Sequence, residues 1–172
     1  MNKLDVLALL VAELESVVSV PVHTGTGEDR DLPAVALAKW DTTRTHDGGH
    51  RNYAGPTFDE EGDVNGAEFH IYHDMTALVV VLSDDEVESH ELLAAIEEHF
   101  NFLEDTPGDL HADVRQLEVA SGGQHDLQFA PPVPTFGQTV RLELKFLNRL
   151  TRTLPELGED VLLNIENDIH LT

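Results

Sequence analysis

The 172-residue chain carries 33 Asp and Glu against 10 Lys and Arg, a formal charge of -23, and only Lys3, Lys39 and Lys145 among the cations are lysines. Like charge of this density opposes the compact state at low ionic strength, whereas in about 1 M salt the Debye length falls to roughly 3 Å, so the composition suits a brine-filled compartment; an ordinary acidic mesophilic protein is the alternative. The absence of cysteine excludes a disulfide scaffold, a Cys-based zinc site and a Cys nucleophile, 41% hydrophobic residues exclude general disorder, and so negative a charge leaves no broad basic face for duplex DNA.

A chain of this length is expected to form one domain with a substantial core, here a single α+β domain over 1–172. Its longest apolar run, residues 77–82, is strand-sized and far short of the about 18 residues that a membrane span needs. The start, residues 1–5, lacks the basic, apolar and small segments of a signal peptide, so export is not expected.

In chain order, the first predicted element is an amphipathic helix. Leu7, Leu10, Val11, Leu14, Val17 and Val18 fall at i, i+3, i+4, i+7 spacing, with Asn2 as N-cap and Asp5 in the first turn; Pro21 ends the pattern. A polar connection through residues 24–27 leads to Pro33 and a short strand over 34–40, whose Ala34, Ala36 and Ala38 share a face that a helix or a neighbouring subunit could approach closely. Residues 41–66 are polar and glycine-rich, with an acidic cluster at 59–61, and read as a projecting arm or hairpin. Residues 67–82 as one strand would exceed 50 Å at about 3.3 Å per residue, and residues 73–76 offer a turn, so a hairpin is predicted, its apolar half over 78–82 being the most buried strand.

Ser83-Asp84-Asp85-Glu86 has the form of a capping box, and Leu92, Leu93, Ile96, Phe100 and Leu103 mark one face of the helix that follows; it stops before Thr106-Pro107-Gly108. A strand over 114–119 precedes a loop in which Gly122-Gly123 and Pro131-Pro132 are expected to bar regular structure. Val140, Leu142, Leu144 and Phe146 alternate with Arg141, Glu143 and Lys145, the pattern of a half-buried strand, and a last strand is predicted over 161–165. Grouped strands with two helices argue for a mainly antiparallel α+β sheet with both helices on one face, leaving the other face for solvent or a partner.

Chemistry is sparse along this chain. His46 and His50 flank Asp47-Gly48-Gly49, but the glycines oppose the helix that would put two His four apart on one face, and no third ligand is identifiable. His70 and His73 lie at odd spacing, on opposite faces of an extended strand, and His90 and His99 fall at the margins of the second helix's apolar face. No Gly-x-Ser-x-Gly elbow is present, and Gly25-Thr26-Gly27 lacks the Lys-Ser/Thr of a phosphate loop. No catalytic residue, metal site or cofactor is therefore assigned. The basic residues are more informative: Lys39, Arg44 and Arg51 form one island, and Arg141, Lys145, Arg149 and Arg152 another. They are subunit-interface candidates, matched by acidic surface on a second copy, or else solvated charge that balances the local sheet.

The layout resembles the tail terminator (tail completion) proteins of long-tailed double-stranded-DNA viruses. The resemblance rests on the N-terminal helix, the Pro-led strand Leu32-Pro33-Ala34-Val35-Ala36-Leu37, a variable arm, and a hairpin leading through Ser83-Asp84 into a second helix, followed by antiparallel strands; 69–100 carries most of it. It implies a non-enzymatic virion protein, assembled in the host cytoplasm, that forms a hexameric ring with copies of itself at the head–tail junction; with the halophilic composition, a halophilic archaeal host is expected. Such a ring caps the tail tube, stops its polymerisation and joins the head connector, and DNA passes through the lumen without specific binding. The arm at 41–66 and the loop at 121–135 would be its interface elements. Another head–tail connector component, and a halophilic enzyme or small-ligand binder using His46 and His50, remain as alternatives.

Overall fold

The computed structural model describes residues 1–25, 31–44, 52–124 and 136–153. The first helix, α1 (Lys3–Val17), begins where expected: the Asn2 side chain accepts from the Leu4 and Asp5 amides at 2.8 and 3.1 Å, and Asp5 accepts from the Asn2 amide at 2.7 Å. This reciprocal capping box satisfies amides that have no partner within the helix. The chain then forms β1 (Val22–Thr24), which sequence periodicity did not reveal, paired in parallel with β2 (Ala34–Arg44) through Val22↔Val35. Three residues are too few to show a period of two.

Next come β3 (Asn52–Phe58) and β4 (Val64–Ser83), joined as an antiparallel hairpin. The expected turn at 73–76 is absent, and β4 runs through all 20 of its residues. Asp74 and Thr76 are exposed while Met75 and Ala77 are buried, so the polar residues mistaken for a turn are the solvent-facing half of a strand alternation. The projecting segment likewise resolves into elements: residues 41–44 belong to β2, 52–58 are β3, 59–63 form the turn, and 64–66 begin β4.

Helix α2 (Glu86–Asp105) starts two residues later than the Ser83 capping box required. Strand β4 extends to Ser83, so Asp85 is the N-cap and accepts from the Val87 amide at 2.8 Å. The buried Ser83 hydroxyl instead accepts from the Asp85 amide at 3.0 Å and donates to Glu88 Oε2 at 2.6 Å. At its other end, α2 closes on Glu104 and Asp105 with no basic residue in the last turn. A one-turn helix, α3 (Pro107–Leu110), follows with Pro at its start, where a missing amide hydrogen is tolerated.

Strands β5 (Val114–Gln124) and β6 (Phe136–Thr153) pair antiparallel. Gly122-Gly123 do not end β5 as expected; a register shift between Ser121 and Gly123 absorbs them as a bulge. The predicted strand over 161–165 and the Pro131-Pro132 pair lie outside the described residues.

The mixed sheet has the order β1-β2-β4-β6-β5 with β3 on β4, mostly antiparallel, and the protein is α+β. The chain divides into two units. The first comprises 1–43 and 73–146, and its core joins Leu10 and Leu14 of α1, Ile96 and Phe100 of α2, Val35 and Leu37 of β2, Val79 and Val81 of β4, and Leu142 and Leu144 of β6. Both helices therefore pack on one sheet face, and it is the face of Val35 and Leu37 rather than that of the alanines. The second unit comprises 44–72 and 147–172; among its described residues Ala67 and Phe69 form a small cluster with Tyr53, Val64 and Leu150.

Candidate interaction surface

In the first unit, the strand residues out of phase with the core make up the sheet's outer face. On the first unit's part of β4 these are Asp74, Thr76, Leu78, Val80 and Leu82: Asp74 and Thr76 are exposed, Val80 is buried, and the two leucines are partly buried. On the adjacent β6 they are Arg141, Glu143 and Lys145, since Val140, Leu142, Leu144 and Phe146 point into the core. The outer face thus carries polar and apolar side chains on β4 and charged ones on β6. Arg141 Nε contacts Glu143 Oε1 at 2.9 Å, and Glu143 sits opposite Glu118 of β5. Charge on this face is partly balanced within the strand, as the solvated-charge alternative required for Arg141.

The remaining interface candidates are divided between the two units. Lys39 is exposed on β2, and Arg44 ends β2. Arg51 lies outside the described residues, as do His46 and His50. In the second unit, exposed Arg149 reaches Glu68 Oε1 at 3.8 Å. Arg152 contributes its backbone: a Cβ placed on Gly66 would come within 2.2 Å of the Arg152 carbonyl oxygen, so β4 and β6 meet there at a distance only glycine allows.

Several of the described histidines make contacts within the fold. His99 Nε2 and Glu13 Oε2 are 2.9 Å apart, tying α2 to α1 through half-buried groups. His73 stacks on Phe146 with ring centroids 5.5 Å apart, and His70 contacts Glu68 at 2.8 Å. Exposed His90 meets only Gln138, at 3.5 Å. No group of three or more His, Asp or Glu with metal-binding geometry occurs among the described residues, and no helix among them is long and apolar enough to cross a membrane.

The sequence reading passed over Phe58. It ends β3 and is 55% exposed, beside a turn that contains Asp59, Glu60, Glu61 and Asp63. Its available signal was the contrast between an aromatic residue and the run of acids that follows it. No protein-family model matches the chain, and no curated protein matches it.

Proposed function

We propose that this protein is a ring-forming tail terminator of a long-tailed double-stranded-DNA virus that assembles in a high-salt cytoplasm. The observation that carries the reading is the order of elements: a capped N-terminal helix, a strand led by Pro33, a hairpin whose second strand passes through Ser83 into α2, and an antiparallel β5–β6 pair. The family resemblance rests on this order except at the hairpin: it sets a variable arm before a hairpin over 67–82, whereas here the arm region supplies β3 and 64–83 is one strand. The outer face of the first unit's sheet, which the two helices do not cover, is the surface on which copies would meet.

Physical chemistry supports the same reading. An acidic ring lets polyanionic DNA pass without gripping it, since like charge opposes phosphate contact. The high negative charge also fits assembly in brine, where screening removes the self-repulsion. In this role the protein caps the tail tube and joins it to the head connector as a homohexamer, without enzymatic chemistry.

Negative-stain imaging of the protein mixed with tail tubes in molar potassium chloride tests the proposal. Rings at tube ends, and tubes that stop growing, are the expected result. Rings that bind the head connector but never tube ends would favour a different neck component. Absence of the protein from purified virions would falsify the virion role and return the enzyme or ligand-binding reading to first place.

A further inference from the structure

Near the hairpin end, β4 slips against its partner β3. Thr57 stands opposite Gly66 and Phe58 opposite Val64, so Asn65 is an extra residue with no partner across the ladder. A bulge of this kind leaves its extra residue unpaired and bends the strand, which gives Asn65 a backbone latitude that a paired residue lacks. Asn65 is exposed, and Asn65-Gly66 is the only Asn-Gly pair in the chain. Both flanks of the bulge are held. On the turn side, the Asp59 amide donates to the Asp63 carbonyl at 2.9 Å, and Asp59 Oδ1 accepts from the Glu61 and Asp63 amides at 3.1 and 2.8 Å. On the other side Gly66 is buried, and a Cβ there would fall 2.2 Å from the Arg152 carbonyl oxygen and 2.8 Å from Thr57 Oγ1. Packing therefore demands glycine at the very position where glycine makes a preceding asparagine reactive.

We propose that Asn65 is a site of spontaneous deamidation, a one-way modification that loosens the β3–β4 hairpin. The inference is independent of the ring reading. In the reaction the Gly66 amide gives its proton to solvent base, and its nitrogen attacks Asn65 Cγ. The new N–Cγ bond forms as the Cγ–Nδ2 bond breaks, Nδ2 leaves as ammonia, and a succinimide closes. Glycine favours this step because no Cβ obstructs the attacking nitrogen and the backbone turns freely. Water then opens the ring. Attack at Cγ leaves aspartate in a normal chain; attack at the main-chain carbonyl leaves isoaspartate, whose main chain is longer by a carbon. Water is the sole co-reactant, and no redox partner is needed. The lengthened link lies between Val64, paired with Phe58, and Gly66, seated against the Arg152 carbonyl, so neither neighbour can take up the extra carbon without moving. Either product also adds a carboxylate to residues 52–66, which already hold Asp59, Glu60, Glu61 and Asp63 and no Lys or Arg.

Mass spectrometry tests this on the full chain held in molar potassium chloride at neutral and at mildly alkaline pH, with peptic digestion in acid and isoaspartate detected by enzymatic carboxyl methylation. Aspartate and isoaspartate should accumulate at residue 65, faster at the higher pH because more of the amide is deprotonated. Exposed Asn101, followed by Phe102 in α2, should stay intact over the same interval. Hydrogen exchange on the aged protein should accelerate at 52–58 and 64–72 and not in α1 or α2. Asn65→Gln should abolish both changes, and freshly prepared Asn65→Asp, which adds the charge without the extra carbon, should exchange as the unaged protein does. A folded chain that keeps its Asn65 while a guanidinium-unfolded sample loses it overturns the proposal, because the bulge then protects the residue. Isoaspartate at 65 with unchanged exchange overturns the loosening of the hairpin.

Discussion

Helices α1 and α2 bring Leu10, Leu14, Ile96 and Phe100 down onto one face of the first unit's sheet, and all four are fully buried. The described part of the second unit has no helix; its buried apolar side chains are Ala67, Phe69, Ile71 and Leu147, of which Ala67 and Phe69 form one small cluster. There, shape is set by backbone closeness at Gly66 and by a braced turn at 59–63 rather than by buried volume. A three-stranded patch with so few buried side chains is marginal alone, while the first unit has the layered architecture that sustains an independent core. The difference is one of means: the first unit is held by a layered core, the described part of the second by strand pairing and a braced turn.

The comparison breaks most readily in the first unit. Phe100→Ala should cost about 3–5 kcal/mol, because it leaves a cavity among side chains from both helices and the sheet. Denaturant titration in molar salt should show this loss, and hydrogen exchange should show residues 64–72 losing protection together with α1. If the second unit keeps its protection when the first has unfolded, its small cluster is more self-sufficient than its burial implies. Gly66→Ala is expected to cost about 1–3 kcal/mol through overpacking against the Arg152 carbonyl, with exchange accelerating at 52–58 and 64–72 while α1 and α2 stay protected. Equal acceleration in the helices would erase the distinction between the units. Asn2→Ala should remove about 1 kcal/mol by uncapping α1, read as a lower denaturation midpoint with an unchanged slope. Smallest of all, a double-mutant cycle on Glu13 and His99 should give a coupling under about 1 kcal/mol, since both groups remain partly in water.

The first unit was largely legible in the sequence because its buried residues repeat. The α1 stripe, the α2 stripe and the alternation of Val140 through Phe146 all mark faces that the structure buries. Errors arose where a local signal met a longer-range constraint. His73-Asp74-Met75-Thr76 has turn composition, yet Met75 has a place in the core and the pairing continues. Gly122-Gly123 read as a stop, but a bulge keeps the ladder going; Ser83 read as a cap, but strand pairing claims it first. The surface at the hairpin tip was the least visible. Neither the exposure of Phe58 nor the close approach at Gly66 follows from periodicity, since both depend on which strand lies alongside. The two basic islands were legible as composition, but their division between the units was not.

One further consequence follows from the last turn of α2. Carbonyl groups at a helix C-terminus carry the negative end of the macrodipole, and here they meet Glu104 and Asp105 with no Lys or Arg to offset them. The helix contains seven carboxylates and no Lys or Arg at all. The helix itself supplies no cation to offset that end, so lowering the salt concentration should first unwind the terminal turn over residues 102–105. Loss of helical order would then spread toward Phe100, where the fraying meets the core. Hydrogen exchange that accelerates at 102–105 before the rest of α2 on dilution of salt is the expected signature of this uncompensated helix end.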